Sequence, residues 1–257
     1  MSLLFQEYGL SLMSASHALP EAPMFVGLEC EIEGIRAHNR AEAIGFHVTN
    51  DGSLRNNGYE YISQPLIPET AIAAFRALHG TIDCRPDIKF SNRTSIHVHA
   101  NCMNLESATI RNIILWYALY EELFFLMCDP DRRNNIHCVA LTETYLPSLY
   151  HHTLGNLVSR WHKYTALNLK PLAKYGTIEF RHMQGHDDPE LLRQWLSAIT
   201  GLFDLGKSVK ITQDTFTEDL LHMGFDQIFG KTNLAGSWAL AQTLISNSII
   251  DVKLGMA

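Results

Sequence analysis

Three glutamates at every second position, Glu29, Glu31 and Glu33, stand in the segment Gly27-Leu-Glu-Cys-Glu-Ile-Glu-Gly34. In a strand they share one face, ~7 Å apart, with Leu28, Cys30 and Ile32 on the other; a helix would scatter them. Phe25, Val26 and Ile32, the period of two and the bounding glycines favour the strand. Carboxylates held side by side repel, and partial burial raises that cost, so the face calls for positive charge, most economically a divalent cation. The alternative is an edge strand that uses its charges against aggregation.

Other segments carry complementary chemistry. In Ser95-Ile-His-Val-His-Ala-Asn101, alternation puts His97, His99 and Asn101 on one face, as a wall for a metal or a phosphate or as structural histidines. In Gly176-Thr-Ile-Glu-Phe-Arg-His182, Thr177, Glu179 and Arg181 share a face. They form either a salt bridge or an acid that holds a metal beside an Arg that holds a phosphate. Asp51 follows a strand reading in the turn Asn50-Asp-Gly-Ser53, and Glu60 lies in the strand Tyr59-Glu-Tyr-Ile-Ser63. Each is a site candidate or, respectively, a turn residue and part of a solvated face. Arg160, Lys163, Lys170 and Lys174 make a local basic excess, an anion site or a solvated face.

The elements that must position these residues are legible in outline. An irregular lead-in fills residues 1–23, and a domain begins near Met24. A short helix is expected over Ala41–Ile44, a strand over Gly45–Thr49, and a helix over Glu69–His79. A long buried helix capped by Asn104 or Ser107 runs to about Cys128, where Asp129-Pro130 stops it. Asp187-Asp-Pro-Glu190 opens another, and further helices begin at Glu218 and Trp238 in a tail that serves packing or assembly. The division is a catalytic domain over 24–211 and a helical segment over 212–257. Residues 129–158, with His151 and His152, resist assignment.

A net charge of −7 argues against nucleic acid or an anionic membrane as the main partner. No targeting segment is legible, because the first cationic residue is Arg36, and the apolar region 110–128 carries Arg111, Glu121 and Glu122, too many charges for a membrane span. Five cysteines without a Cys-x-x-Cys pair suggest buried free thiols and a cytoplasmic protein, with a nucleophilic cysteine the minor alternative. Gly201-Leu-Phe-Asp-Leu-Gly-Lys-Ser208 matches a phosphate-loop pattern letter by letter, but it closes an amphipathic helix instead of following a strand. Gly206 reads there as a helix stop, with Lys207 near the negative end.

Taken in order, Gly27-Leu-Glu-Cys-Glu, Asp51-Gly-Ser, Ser95-Ile-His-Val-His, and Asn168 through Gly-Thr-Ile-Glu-Phe-Arg181 resemble an amidoligase family of phage and bacterial genomes. That family belongs to the carboxylate-amine ligase superfamily of glutamine synthetase and glutamate-cysteine ligase. The resemblance spans about residues 24–205. It implies an α+β fold, a glutamine-synthetase-like curved, mainly antiparallel sheet with packed helices. It also implies ATP with Mg2+ or Mn2+, and amide formation through an acyl phosphate. By that similarity Glu31 and Glu60, with Asp51, hold one metal, and Glu29, His97 and Glu179 hold the metal that grips the phosphates. Arg181 neutralises the transferring phosphoryl group, and Asn168, Lys163 or Arg160, and His99 line the nucleotide or acyl-phosphate pocket. The partners implied are carboxylate and amine substrates, with a homo-oligomer left open. A metal-dependent hydrolase on the same Glu and His residues, and an inactive phage-type assembly protein, are the competing readings.

Overall fold

The computed structural model describes residues 24–38, 41–141, 152–212 and 216–256. The expected lead-in and His151 lie outside these residues. Eight strands occur among them: β1 Val26–Ile32, β2 Ile35–Ala37, β3 Phe46–Thr49, β4 Tyr59–Ser63, β5 Asp83–Cys84, β6 Ser95–Asn101, β7 Leu167–Asn168 and β8 Thr177–Gln184. Six form one sheet in the order β3-β4-β1-β6-β8-β7, with antiparallel pairing throughout, and β2 pairs β5 in a separate ribbon. The α-helices are α1 Pro68–Thr81, α2 Ser107–Leu126, α3 Leu154–Arg160, α4 Leu172–Tyr175, α5 Pro189–Ser208, α6 Glu218–Phe229 and α7 Trp238–Met256. The architecture is therefore α+β, a mainly antiparallel sheet with packed helices.

Alternation divides the sheet into two chemistries. Leu28, Cys30, Ile32, Ile96, Val98, Ala100, Ile178 and Phe180 enter one buried cluster under the helices. Helix α2 meets that face through Tyr117 and Phe124, whose rings lie 6.2 Å from that of Phe180. Each such side chain contributes roughly 1.5–3 kcal/mol when removed from water. The buried cluster also contains Phe225 and Phe229 of α6 and Ala241, Ile245 and Val252 of α7, so the tail shares the core of the sheet.

Several expectations shift. Helix α2 begins at Ser107 with Glu106 as its cap and no side-chain capping bond, and α5 begins at Pro189 with Asp188 accepting from the Glu190 N–H at 2.8 Å. Gly206 is not a stop. It lies inside α5, where an added Cβ would collide with Ile113 of α2, and Gly201 in the same helix faces the Gln227 carbonyl of α6 just as closely. The phosphate-loop look-alike is thus helix throughout, its glycines serving helix contacts. Glu33 leaves the strand face because β1 ends at Ile32; its buried carboxylate accepts from the Arg55 N–H at 2.7 Å and the Asn56 side chain at 3.2 Å.

Candidate metal centre

Strand register brings the acids together. Glu31 stands directly opposite Glu60 across β1 and β4, a pair of carboxyl groups that costs stability unless a proton or a cation joins it. Glu29 stands opposite His97 across β1 and β6, and Glu179 is opposite both His99 and Asn168. Three groups of potential ligand atoms result, each within 4.8 Å of one another: Glu31, Asp51 and Glu60; Glu29, Glu60 and His97; and Glu29, His99 and Glu179.

Hydrogen accounting fixes the histidines. Ser95 donates both its N–H, at 2.7 Å, and its hydroxyl, at 2.5 Å, to Glu31 Oε2. Its hydroxyl oxygen therefore accepts from His97 Nε2 at 2.8 Å, which leaves His97 Nδ1 facing Glu29 Oε2 at 3.2 Å and Glu179 Oε1 at 3.3 Å. His99 Nδ1 is bonded to Thr177 Oγ1 at 2.9 Å. Its buried Nε2 lies 3.0 Å from Glu29 Oε1 as an ion-pair contact. Two potential ligand atoms about 3 Å apart also match an edge of an octahedron with metal bonds of about 2.1 Å. The set of carboxylate oxygens with imidazole nitrogen fits Mg2+ or Mn2+.

The electrostatics agree. Burial opposes ionisation of Glu29, yet bonds and charges from His97 and His99 hold its carboxyl well below the usual carboxylate range. Burial likewise opposes a charged His99, but Glu29 raises its pKa above the ordinary value. A proton on His99 and a divalent cation are alternative ways of satisfying Glu29. Glu60 is pushed up to about 8 by burial and then by the surrounding carboxylates of Glu29, Glu31, Asp51 and Glu179.

Around these triads lie two compartments that share Glu29. One, of about 580 Å³, is polar: Glu31, Asp51, Glu60 and His97 line it together with Arg93, Lys163 and Arg181. The other, of about 300 Å³, is mainly apolar, with Phe25, Ile62, Pro65, Met103, Tyr175 and His99 in its walls and Lys174 at its rim. Arg181 bonds Glu179 through Nη1 and the His137 carbonyl through Nε at 3.2 Å.

No family model matches the chain, and no curated protein matches it.

Of the residues singled out in the sequence, Glu29, Glu31, Asp51, Glu60, His97, His99, Glu179 and Arg181 converge on this face. Asp51 is a turn residue, its Oδ1 accepting from the Ser53 N–H at 2.7 Å, and also stands within reach of Glu31 and Glu60. The resemblance gave Glu29 and Glu179 His97 as companion, whereas the compact triad takes His99. The register sets Gly27 opposite His99, so no side chain separates the ring from Glu29. Lys163 lines the polar compartment. Asn168 touches neither compartment; it is buried, and its Nδ2 donates to Glu179 Oε2 at 2.6 Å. Arg160 is exposed at the end of α3 and lines neither compartment.

Sequence reading assigned no role to Ser95 and Thr177, which orient the histidines, although each lies two residues from a site member on the same strand face. It also missed Arg93, Arg132 and His137, which lie outside the strands, Arg132 in the short 3-10 helix Pro130–Asn134, where no period marks them. The cysteines are free, and burial pushes those of Cys102 and Cys138 up to about 12 and about 11, against a nucleophilic role.

Proposed function

We propose that this chain is an ATP- and divalent-cation-dependent ligase that joins a carboxylate to an amine, on a sheet of the glutamine-synthetase-like kind. The observation that carries this reading is the opposed pair Glu31 and Glu60 continued by Glu29, His99 and Glu179 into a row of cation ligands between an apolar compartment and a polar one that Arg93, Lys163 and Arg181 also line. A carboxylate is a poor acyl donor, so its phosphorylation by ATP precedes attack by the amine, giving amide, ADP and phosphate. Such transfer depends on positioning and charge neutralisation. Mg2+ or Mn2+, when bound, supplies that neutralisation at the phosphates.

The chain's own residues then divide the work. Glu31, Glu60 and Asp51 suit one cation and Glu29, His99 and Glu179 another, with His97 reaching both Glu29 and Glu179. Arg181, held by Glu179 and the His137 carbonyl, lines the polar side as a fixed positive charge for the transferring group, and Lys163 adds a second. Asn168 positions Glu179. Tyr175, Met103, Phe25 and Pro65 offer the base of a nucleotide an apolar wall. The compartment and cytoplasmic setting expected from the free thiols belong to the same proposal. Among the described residues no helix is long and apolar enough to cross a membrane.

A metal-dependent hydrolase would use the same triads, and their geometry favours it equally. The apolar compartment and the cations that share the polar one with the acids favour the ligase, because hydrolysis of a neutral amide has little use for either. Isothermal titration of a nonhydrolysable ATP analogue into the protein, with and without Mg2+, separates the readings. The ligase requires Mg2+-dependent binding that Glu29→Ala abolishes. Mn2+ binding by the folded protein without any nucleotide binding would leave the hydrolase, and binding of neither would leave an inactive assembly protein.

A further inference from the structure

The polar compartment does not end at the acids. It meets a second polar space of about 500 Å³, and Asn92, Arg132, Asn134 and Asn135 line both. The combined groove leaves the sheet at the start of β6 and passes between the turn at 90–94 and the segment at 129–137, where Asp129 and Asp131 line its outer part, reaching Gln184 and Gly185 at the end of β8. Ammonia, of water size, would fill only ~30 Å³ of it.

The groove's walls hold unused recognition chemistry. The side-chain amides of Asn92 and Asn134 make no hydrogen bond among the described residues, so each retains a donor pair and an acceptor that complement a peptide unit. Arg93 has no ion-pair partner among those residues. In a chain of net charge −7, this cation lines the inner compartment that also holds the acid row, and the outer space has no such unpaired cation among its lining residues. One wall is fixed in advance: Arg132, buried, donates to the carbonyls of His182 at 2.8 Å and Arg181 at 2.7 Å and ties the 130–134 turn to β8. Groups held this way spare a ligand the ordering cost of the wall.

We infer that the carboxylate substrate is an extended, acidic, peptide-like molecule that lies along this groove, its acidic groups at the inner end, read by Arg93, and its backbone read by Asn92 and Asn134. The inference rests on the ligase reading, to which it adds the substrate class. A free amino acid or a small dicarboxylate would leave the outer space and its amides unused.

The test incubates the full chain with Mg2+, a nonhydrolysable ATP analogue, free glutamate and a pool of end-blocked hexapeptides carrying two glutamates. A second pool has glutamine in their place. Ultrafiltration followed by mass spectrometry reads what stays with the protein. The expected result is retention of the acidic pool about tenfold above the glutamine pool and above free glutamate, with Arg93→Ala, Asn134→Ala or both together removing most of that preference. Both positions are exposed, so the variants fold. Equal retention of glutamate and acidic peptides, no peptide retained, or an undiminished preference in the double variant would each overturn the inference. The nucleotide analogue is read in the same samples: its absence beside retained acidic peptides overturns the ligase reading while leaving the groove a peptide site.

Discussion

Thr177 and Ser95 determine what the two histidines can do. With Nδ1 of His99 committed to Thr177 and Nε2 of His97 to Ser95, the remaining nitrogen of each ring is turned to the carboxylates. Groups that fix a ligand's tautomer typically govern metal affinity by 10–100-fold. Thr177→Val, which keeps the shape and removes the hydroxyl, is expected to weaken Mn2+ binding by about that factor with the fold intact, as read by electron paramagnetic titration and circular dichroism. An unchanged affinity would remove His99 from the ligand set. A different histidine governs acid stability. His182 is held down to about 3 by burial and then by Arg132, and its Nε2 is spent on Tyr117 Oη at 2.8 Å, whose hydroxyl in turn donates to the wholly buried Glu121 at 2.7 Å. The unfolded ring takes its proton near 6.5, so the stability from a neutral His182 is present above that pH and is lost as pH falls from there towards about 3. The loss approaches about 1.4 kcal/mol per pH unit. Urea unfolding of wild type and His182→Gln from about pH 7 to 5 should show the variant's slope reduced by one proton, a range above most carboxylate titration. His79 and His186, lowered to about 3 and about 4 by burial first, act in the same direction in both proteins and cancel in the comparison.

At the level of elements, one irregularity in β8 shapes the site. Between Ile96 and Val98 of β6, the partner strand runs from Met183 to Phe180, so β8 carries one extra residue there. The bulge lets both His182 and Met183 face the core while Arg181 turns to the acids. Arg132 holds the carbonyls of the two residues at the bend. Arg132→Met should leave those acceptors unsatisfied, cost roughly 1–3 kcal/mol in urea unfolding and loosen Arg181. Nothing in the sequence announces this bulge, because Thr177, Glu179 and Arg181 keep a clean alternation up to the point where it occurs. Helices α2 and α5 expose a similar boundary. The apolar spacing locates both, but Gly206 carries no mark that distinguishes a stop from a close helix crossing; only the partner Ile113 decides it. Gly206→Ala would raise helix propensity by about 1 kcal/mol, yet the collision with Ile113 should outweigh that gain and lower the melting temperature. A rise would mean that α2 can give way.

Over the whole molecule, the part of the site that lies on strands was readable, Asp51 was marked by its turn signal and Lys163 by the local basic excess, while Arg93, Arg132 and His137 were not readable. Glu29, Glu31, His97, His99 and Glu179 declare themselves because a period of two leaves an acid or a histidine wherever a half-buried face should be apolar or solvated. The α+β class came from the family resemblance that those strand motifs carry, and the structure has that class. Arg93, Arg132 and His137 come to the acids only because the turn at 90–94 and the segment at 129–137 meet beside β8, long-range geometry without local periodicity. The same packing makes Glu29 the shared wall of two compartments of opposite character, and from this follows a test of how independent they are. Met103 borders the apolar side alone. Met103→Trp should fill part of its roughly 300 Å³ and weaken binding of the ATP analogue by about tenfold or more, while Mn2+ affinity stays within about twofold. Titration of both ligands into one preparation measures this directly. If Mn2+ and nucleotide affinities fall together, the base does not occupy the apolar side as a separate subsite, and the nucleotide must instead lie wholly along the acid row with Lys163 and Arg181.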